Sequence, residues 1–141
     1  MNSKESKFQF TNPRIIELEF LLNKNNTQGE FKLYSNFEVK ILDKQENNAF
    51  VQLIFISKPK ENEQSPFIIK AIVEANFKWE NMSDNLVMPF LNTNAPAFLL
   101  SYLRPTVAYI TNAAGISPYN IPFMNFTKPK PETTKKIEQP K

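Results

Sequence analysis

The sequence predicts an α+β domain in which a four-stranded antiparallel sheet carries one long helix. Four segments alternate apolar and polar residues with a period of two, and polar loops separate them. A later segment is apolar at helical spacing, with a proline near its start and a glycine at its end. The chain has 141 residues, which is enough for one domain with one hydrophobic core.

The predicted strands span residues 14–22, 30–42, 49–57 and 67–80. Short polar loops between them favour antiparallel pairing, with one dry and one wet face. The third strand is apolar on both faces apart from Gln52, which is typical of a central, covered strand. The predicted dry faces of the other three consist of Ile16, Leu18, Phe20 and Leu22; of Phe31, Leu33, Phe37, Val39 and Ile41; and of Phe67, Ile69, Ala71, Val73, Ala75, Phe77 and Trp79. At ~3.4 Å per residue the fourth strand would run roughly 45 Å, so we expect its far end to project past the core.

The helix is predicted over residues 94–115. Asn94 is the expected N-cap, Pro96 falls in the first turn, where proline is tolerated, and Gly115 suits the C′ position. Pro105 removes one backbone hydrogen bond and predicts a kink near Ser101.

This helix is apolar around nearly its whole circumference. Its two stripes consist of Leu99, Leu103, Val107 and Ile110, and of Phe98, Tyr102 and Tyr109. A helix of this kind is buried on more than one side, whereas one four-stranded sheet covers only one side. We therefore expect these seven residues to form an interface with a second copy of the chain.

The composition excludes several classes of active site. The chain contains no Cys and no His, which excludes disulfides, thiolate or imidazole metal sites, and mechanisms that need a Cys nucleophile or a His base. Glu17 and Glu19 form a carboxylate pair, but without a third catalytic group they are better explained as the solvent face of an amphipathic strand. No phosphate-binding motif occurs. We therefore expect a protein that is not an enzyme and that uses no cofactor and no metal.

Targeting and membrane signals are absent from the sequence pattern. The start, "MNSKESKFQF", lacks the apolar region of a signal peptide. No stretch approaches the ~20 apolar residues of a membrane helix. The expected location is the cytoplasm, without a membrane span.

The net charge of +3 originates in the last residues of the chain. From Lys128 onward there are five Lys and two Glu, and removing them from the 17 basic and 14 acidic residues leaves twelve of each. A neutral body lacks the dense basic face of a duplex-binding domain, so nucleic acid is not an expected partner. The Pro, Lys and Thr content predicts disorder. We place the domain at residues 1–127 and a basic, disordered tail at residues 128–141.

Residues 76–94 are the main candidate for a binding surface. The segment is rich in Met and aromatic residues, and Pro89 and the Asn-rich flanks argue against a long regular element. Met is flexible and polarisable, which suits an adaptable binding surface. The same side chains could equally plug the core beneath a long loop, and both interpretations stay open.

The segment after the helix, "GISPYNIPFMNF" at residues 115–126, combines two prolines with large apolar side chains. Pro118 and Pro122 fix an extended path. We expect a return segment in which Ile121, Phe123 and Phe126 pack back onto the fold.

Together, the helix and the return segment resemble the C-terminal half of the SecB export chaperones. The matching residues are Phe98, Leu99, Tyr102, Arg104, Gly115, Pro118, Ile121, Pro122, Asn125 and Phe126. The N-terminal "FQFTNPRIIELEF" is similar to the family's first strand through Phe8, Arg14, Ile15 and Phe20. The resemblance covers about residues 7–127.

This resemblance implies a Greek-key order of the four strands, a helix behind the sheet, and assembly as a dimer of dimers. It also implies ATP-independent holding of unfolded polypeptides, including preproteins for export, in long hydrophobic grooves. The groove-lining residues that it implies are Phe77, Trp79, Met82, Leu86, Met88 and Phe90.

Three features depart from the family's pattern. The body is neutral where export-type members are acidic, Pro129 and Pro131 fall where a second helix is expected, and Pro105 lies within the main helix. The translocase motor is therefore left open as a partner. A SecB-like chaperone dedicated to an antitoxin, a single-stranded nucleic-acid binder that stacks bases on sheet aromatics, and an adaptor subunit that binds no client are the alternatives.

Overall fold

The computed structural model describes residues 7–25, 31–127 and 133–139, with Lys7 and residues 133–139 as backbone only. In chain order its elements are β1 (Lys7–Phe10), β2 (Arg14–Leu22), β3 (Phe31–Leu42), β4 (Asn48–Lys58), β5 (Phe67–Glu80), α1 (Asp84–Pro89), a π-helical turn (Phe90–Asn94), α2 (Ala95–Ala113) and β6 (Thr133–Gln139). The four predicted strands correspond to β2 through β5 within one residue at each end.

The strands form one antiparallel sheet. β3, β4 and β5 are successive neighbours, while β1 and β2 lie one after the other along the outer edge of β5. The start of the chain thus returns beside the last strand of the meander, which is a Greek-key arrangement. The predicted α+β class, the antiparallel Greek-key sheet and the helix behind it are confirmed, and β1 and β6 are additions to the predicted set.

A β-bulge in β2 changes which of its residues meet the core. Ile15 is opposite Val73, but the next pair along is Glu17 with Ile72, so Ile16 is the extra residue. One inserted residue shifts the alternation of a strand. The prediction that Ile16 belongs to the dry face is therefore wrong: Ile15 packs against the core, and Ile16 is exposed.

The core lies between the dry face of the sheet and a layer made by α2 and the return segment. The buried residues of this second layer include Ala95, Leu99, Leu100, Leu103, Val107, Ile116, Tyr119 and Ile121. Each Leu, Ile or Val side chain among them stabilises the fold by ~1.5–3 kcal/mol when it is fully buried. The expectation that β5 projects past this core is wrong, because Trp79 near its end is only 2% exposed.

Residues 84–113 are helical throughout, which corrects two expectations. Residues 84–94 are not an irregular connection, and Asn94 is no N-cap, because it has helical dihedrals and makes no side-chain cap bond. Pro89 ends α1 without an N–H to donate, and the turn after it closes with a five-residue bond from the Ala95 N–H to the Phe90 carbonyl. The Asn92 side chain donates to the Met88 carbonyl at 3.0 Å. Further along, α2 continues through Pro105.

The predicted end of the helix at Gly115 is confirmed. Gly115 has φ +88°, a left-handed value that favours glycine. Its N–H donates to the Asn112 carbonyl at 3.0 Å, and the Ile116 N–H donates to the Thr111 carbonyl at 3.3 Å. These two bonds form a Schellman motif, which turns the chain from α2 into the return segment.

Polar contacts hold the return segment on the sheet and on α2. The Thr111 hydroxyl accepts from the Tyr119 N–H at 2.8 Å, and the Arg104 Nε donates to the Ile121 carbonyl at 2.5 Å. Ile121 is buried, as predicted. Phe123 is 69% exposed, which contradicts its predicted packing onto the fold. Its ring instead lies 3.9 Å from the Arg104 guanidinium, on the outside of the segment.

Part of the tail that the sequence predicts to be disordered is a strand. Thr133–Gln139 pairs antiparallel with residues 31–37 of β3. Without β6, β3 would present an edge of unpaired backbone groups, and the three β-branched residues Thr133, Thr134 and Ile137 favour a strand there. The other tail positions, 128–132 and 140–141, lie outside the described residues.

Candidate functional site

Six aromatic rings meet where β5 ends, and we call them the aromatic cluster. They belong to Phe8, Phe10, Phe77, Trp79, Phe90 and Phe98. Phe8 stacks on Phe90 with 3.5 Å between ring centroids, and Phe10 lies 4.3 Å from Phe98. The Phe77 ring is edge-on to Phe90 at 6.0 Å and to Phe98 at 6.2 Å. Strand, π-helical turn and α2 therefore converge on one apolar site.

Local sequence explains why these rings converge. In β1 the two phenylalanines are two residues apart, so both fall on the dry face, with Phe8 opposite Trp79 and Phe10 opposite Phe77. Asn81, with φ +59°, then turns the chain out of β5 and into α1. The π-helical turn begins with Phe90, which packs against the core below β1.

The six groove residues implied by the family resemblance divide into three groups. Phe77 and Trp79 are buried, with 1% and 2% exposure. Met82, Met88 and Phe90 are half-buried and pack against the core. Leu86 is 57% exposed on α1. The structure brings Phe77, Trp79 and Phe90 into the aromatic cluster, but the first two have no open surface in this state.

Phe8 and Phe10 complete the cluster, although the sequence does not identify them as site residues. Phe8 matches the family's first strand, which implies no role in the groove. The sequence signal is the alternation in "KFQF", with Asn12 and Pro13 following it. That signal identifies a short strand, but it does not identify the strand with which it pairs.

One ion pair lies above the cluster. The Lys44 Nζ is 3.2 Å from the Asp84 carboxylate and 5.8 Å from the centroid of the Trp79 ring. The contact joins the β3–β4 turn to the start of α1. Because Asp84 is 74% exposed, this ion pair stabilises the folded state only weakly.

The seven predicted interface residues of α2 divide between two faces. Leu99, Leu103 and Val107 are buried against the sheet of their own protomer. Phe98 and Ile110 are half-buried, while Tyr102 and Tyr109 are 42% and 72% exposed. The first three therefore belong to the core of the protomer, and within the described part of the chain the tyrosine side of the helix is the exposed one.

Among the described residues, no group of titratable side chains near the aromatic cluster has a catalytic arrangement. Glu17, from the predicted carboxylate pair, lies 3.2 Å from Lys70 in a surface ion pair. Burial raises the pKa of Tyr119, and the hydroxyls of Ser35, to which it is hydrogen-bonded, and of nearby Ser57 oppose that shift. A neutral, buried phenol of this kind contributes to packing.

None of the described helices combines the length and the apolar character needed to cross a membrane.

The comparisons with known proteins agree on one family. Residues 14–129 match the family model described as preprotein translocase subunit SecB. The "Protein-export protein SecB" of Roseobacter denitrificans is 26% identical over 104 residues, which cover 72% of this chain and 62% of that protein. The chain therefore matches less than two thirds of that relative's length.

Two solved structures share the fold. A SecB-like chaperone of Mycobacterium tuberculosis, in complex with a ChAD peptide from the HigA1 antitoxin, superposes with a TM-score of 0.66 at 14% identity, covering 84% of this chain and 90% of that one. A Streptococcus agalactiae protein of unknown function superposes with a TM-score of 0.52 at 14% identity, covering 84% and 99% of the two chains. At this identity the likeness concerns the fold.

Proposed function

The chain belongs to the SecB family, and from that premise we propose that it is an ATP-independent chaperone that holds unfolded polypeptides. The observation that carries the proposal is the aromatic cluster, which lies beside a Met-containing helical crossover and is only partly covered. Phe10 is 51% exposed at one side, and Leu86 is 57% exposed one helical turn before Phe90. Exposed apolar groups of this size, next to flexible Met side chains, suit contacts with many sequences.

The proposed client surface consists of Met82, Leu86, Met88 and Phe90, with Phe77 and Trp79 beneath it. An unfolded polypeptide offers apolar side chains along an extended backbone. Each large apolar side chain that moves from water into such a surface contributes ~1.5–3 kcal/mol before ordering costs are subtracted. No ATP-binding loop is needed, because the exchange of client is an equilibrium.

The proposed assembly is a dimer of dimers that uses the exposed side of α2. Tyr102 and Tyr109 are seven residues apart and therefore share one helix face, with half-buried Phe98 and Ile110 next to it. Exposed aromatics with a polar tip are common in interfaces. Several client surfaces on one oligomer would bind a long client with avidity.

The proposed clients are unfolded proteins in the cytoplasm, with two narrower possibilities for their identity. The relative named as a protein-export protein favours preproteins. The structural relative bound to an antitoxin peptide favours a dedicated antitoxin client, and the neutral body of this chain favours it over a partnership with an export motor. A single-stranded nucleic-acid binder gains no support, because the neutral body lacks the positively charged groove that follows a nucleic-acid backbone.

An aggregation assay tests the proposal. A chemically unfolded protein is diluted into buffer without ATP, and its light scattering is followed with and without this chain. We expect suppression by the natural chain, weaker suppression by Leu86→Asp, and full suppression by Leu21→Asp. Leu21 is a matched control, since it is 64% exposed and pairs with Ile68 at the opposite end of β5. Absence of suppression at several-fold excess of the natural chain would contradict the function.

A further inference from the structure

We propose that β1 is a built-in substitute for client: it occupies a strand-binding site on β5, and an extended client segment takes its place. The inference deepens the proposed function and rests on it for the identity of the occupant. The class of ligand is an extended peptide with two aromatic or large apolar residues two positions apart. Its backbone would pair with residues 77–80 of β5, and its side chains would enter the aromatic cluster.

The outer edge of β5 carries two separate strands of unequal length. β2, which is nine residues long, pairs with residues 67–74, whereas β1, which is four residues long, pairs with residues 77–80. Residues 11–13 separate them, and Pro13 has no N–H to continue the ladder. The short strand can leave the edge while the long one keeps its pairing.

Thr11 fixes the point at which β1 can separate. Its N–H donates to the Asn76 carbonyl at 3.0 Å, and its hydroxyl accepts from the Asn76 N–H at 3.0 Å. This pair of bonds anchors the chain at the boundary between the two strands. Displacement of residues 7–10 would leave Thr11, β2 and the sheet behind them in place.

The packing around β1 is loose for a strand that covers a core. Phe10 is 51% exposed, Gln9 is exposed and Phe8 is half-buried. A cleft of about 340 Å³ adjoins Thr11 and Asn12, and another of about 260 Å³ adjoins Gln9. The side chains of β1 are thus only partly packed, so less dispersion energy holds this strand than would hold a fully covered one.

β1 occupies the cluster in the way that an extended client segment would. It is an extended segment whose backbone pairs with a sheet edge and whose side chains at alternate positions stack on Phe90 and Phe98. Strand addition to a sheet edge is a general mode of peptide recognition, in which main-chain bonds give affinity and pockets for alternate side chains give selectivity. Its departure would uncover Trp79 and Phe77, the two implied groove residues that are buried here.

An engineered disulfide tests the exchange in the full chain, which has no Cys of its own. Gln9 and Lys78 are register partners, so Gln9→Cys with Lys78→Cys would lock β1 onto β5. Glu19→Cys with Lys70→Cys is the matched control, because it places the same lock between β2 and β5 on the same edge. The probe is a dye-labelled peptide with the sequence of residues 7–10 between two serines, measured by fluorescence anisotropy with and without dithiothreitol.

We expect the oxidised β1 lock to lose peptide binding by at least about tenfold and to regain it on reduction, while the control lock binds in both states. Phe8→Thr with Phe10→Thr, which weakens the resident strand, should bind the peptide about tenfold more tightly than the natural chain, because the competent fraction rises. Equal binding by the oxidised and reduced β1 lock would overturn the proposal.

The same variants separate this inference from the proposed function. If the chain suppresses aggregation and the lock changes nothing, holding occurs elsewhere and the β1 site is wrong. If the chain suppresses no aggregation but the reduced lock binds the peptide and the oxidised lock does not, the strand exchange stands and the chaperone function is wrong.

Discussion

The three buried hydroxyls behind the return segment give a sharp prediction about stability. The Tyr119 hydroxyl lies 3.1 Å from the Ser35 Oγ, which donates to the Ser57 Oγ at 3.2 Å. Tyr119 and both serines have 0% exposure. Ser35 is thus the middle member of a chain of three. Removing an end member and removing the middle member should have different costs.

The magnitudes follow from what each substitution leaves without a partner. Tyr119→Phe removes one hydrogen bond but leaves Ser35 bonded to Ser57, so it should cost about 1 kcal/mol, the net value of a typical buried bond. Ser35→Ala removes both bonds of the middle member and leaves two buried hydroxyls to find new partners. That cost should be about 2 kcal/mol, since an unsatisfied buried group costs ~1–3 kcal/mol.

Urea unfolding provides the assay, because the chain has a single tryptophan and Trp79 is buried. Its fluorescence should shift to the red on unfolding, and the midpoint with an unchanged slope reports the change in free energy. The triple variant Tyr119→Phe, Ser35→Ala, Ser57→Ala removes all three hydroxyls together and should be closer to the natural chain than Ser35→Ala alone. A Tyr119→Phe cost equal to or above that of Ser35→Ala would refute the proposed order of the three hydroxyls.

Three further predictions follow from single features. Folding raises the pKa of Tyr119, so the folded state holds the phenol proton more tightly than the unfolded state does. The free energy of unfolding should therefore fall as the pH rises above about 10, the pKa of an unfolded Tyr. Urea midpoints should show a smaller fall in Tyr119→Phe. Gly115→Ala should cost about 1 kcal/mol in the same measurement, because the left-handed φ penalises any Cβ although nothing lies within 4 Å of one; an unchanged midpoint would contradict this. Tyr102→Asp with Tyr109→Asp should lower the mass measured by light scattering without lowering the unfolding midpoint of dilute protein, and an unchanged mass would remove α2 from the interface.

Alternation in the sequence located the strands well because each dry face must be continuous to bury its side chains. It failed at Ile16, where a bulge adds one residue and no residue type announces it. The prediction of the helical start failed at Pro89, which is typical of a helix break, yet the chain stays helical through it and passes into a π-helical turn. Both failures concern local backbone geometry that a pattern of residue types does not encode.

The predicted site lacks one part that the structure adds, and that part is informative about function. The period of β5 correctly assigned Phe77 and Trp79 to the dry face, but it carried no information about what covers that face. Part of the cover comes from β1, which is separated from β5 by more than fifty residues of sequence and consists of four residues with two aromatic rings. A chain that needed only to bury Trp79 could do so with core residues on its long elements. Covering it with a short, half-exposed edge strand leaves the burial easy to reverse, which is the property that a surface for unfolded polypeptides requires.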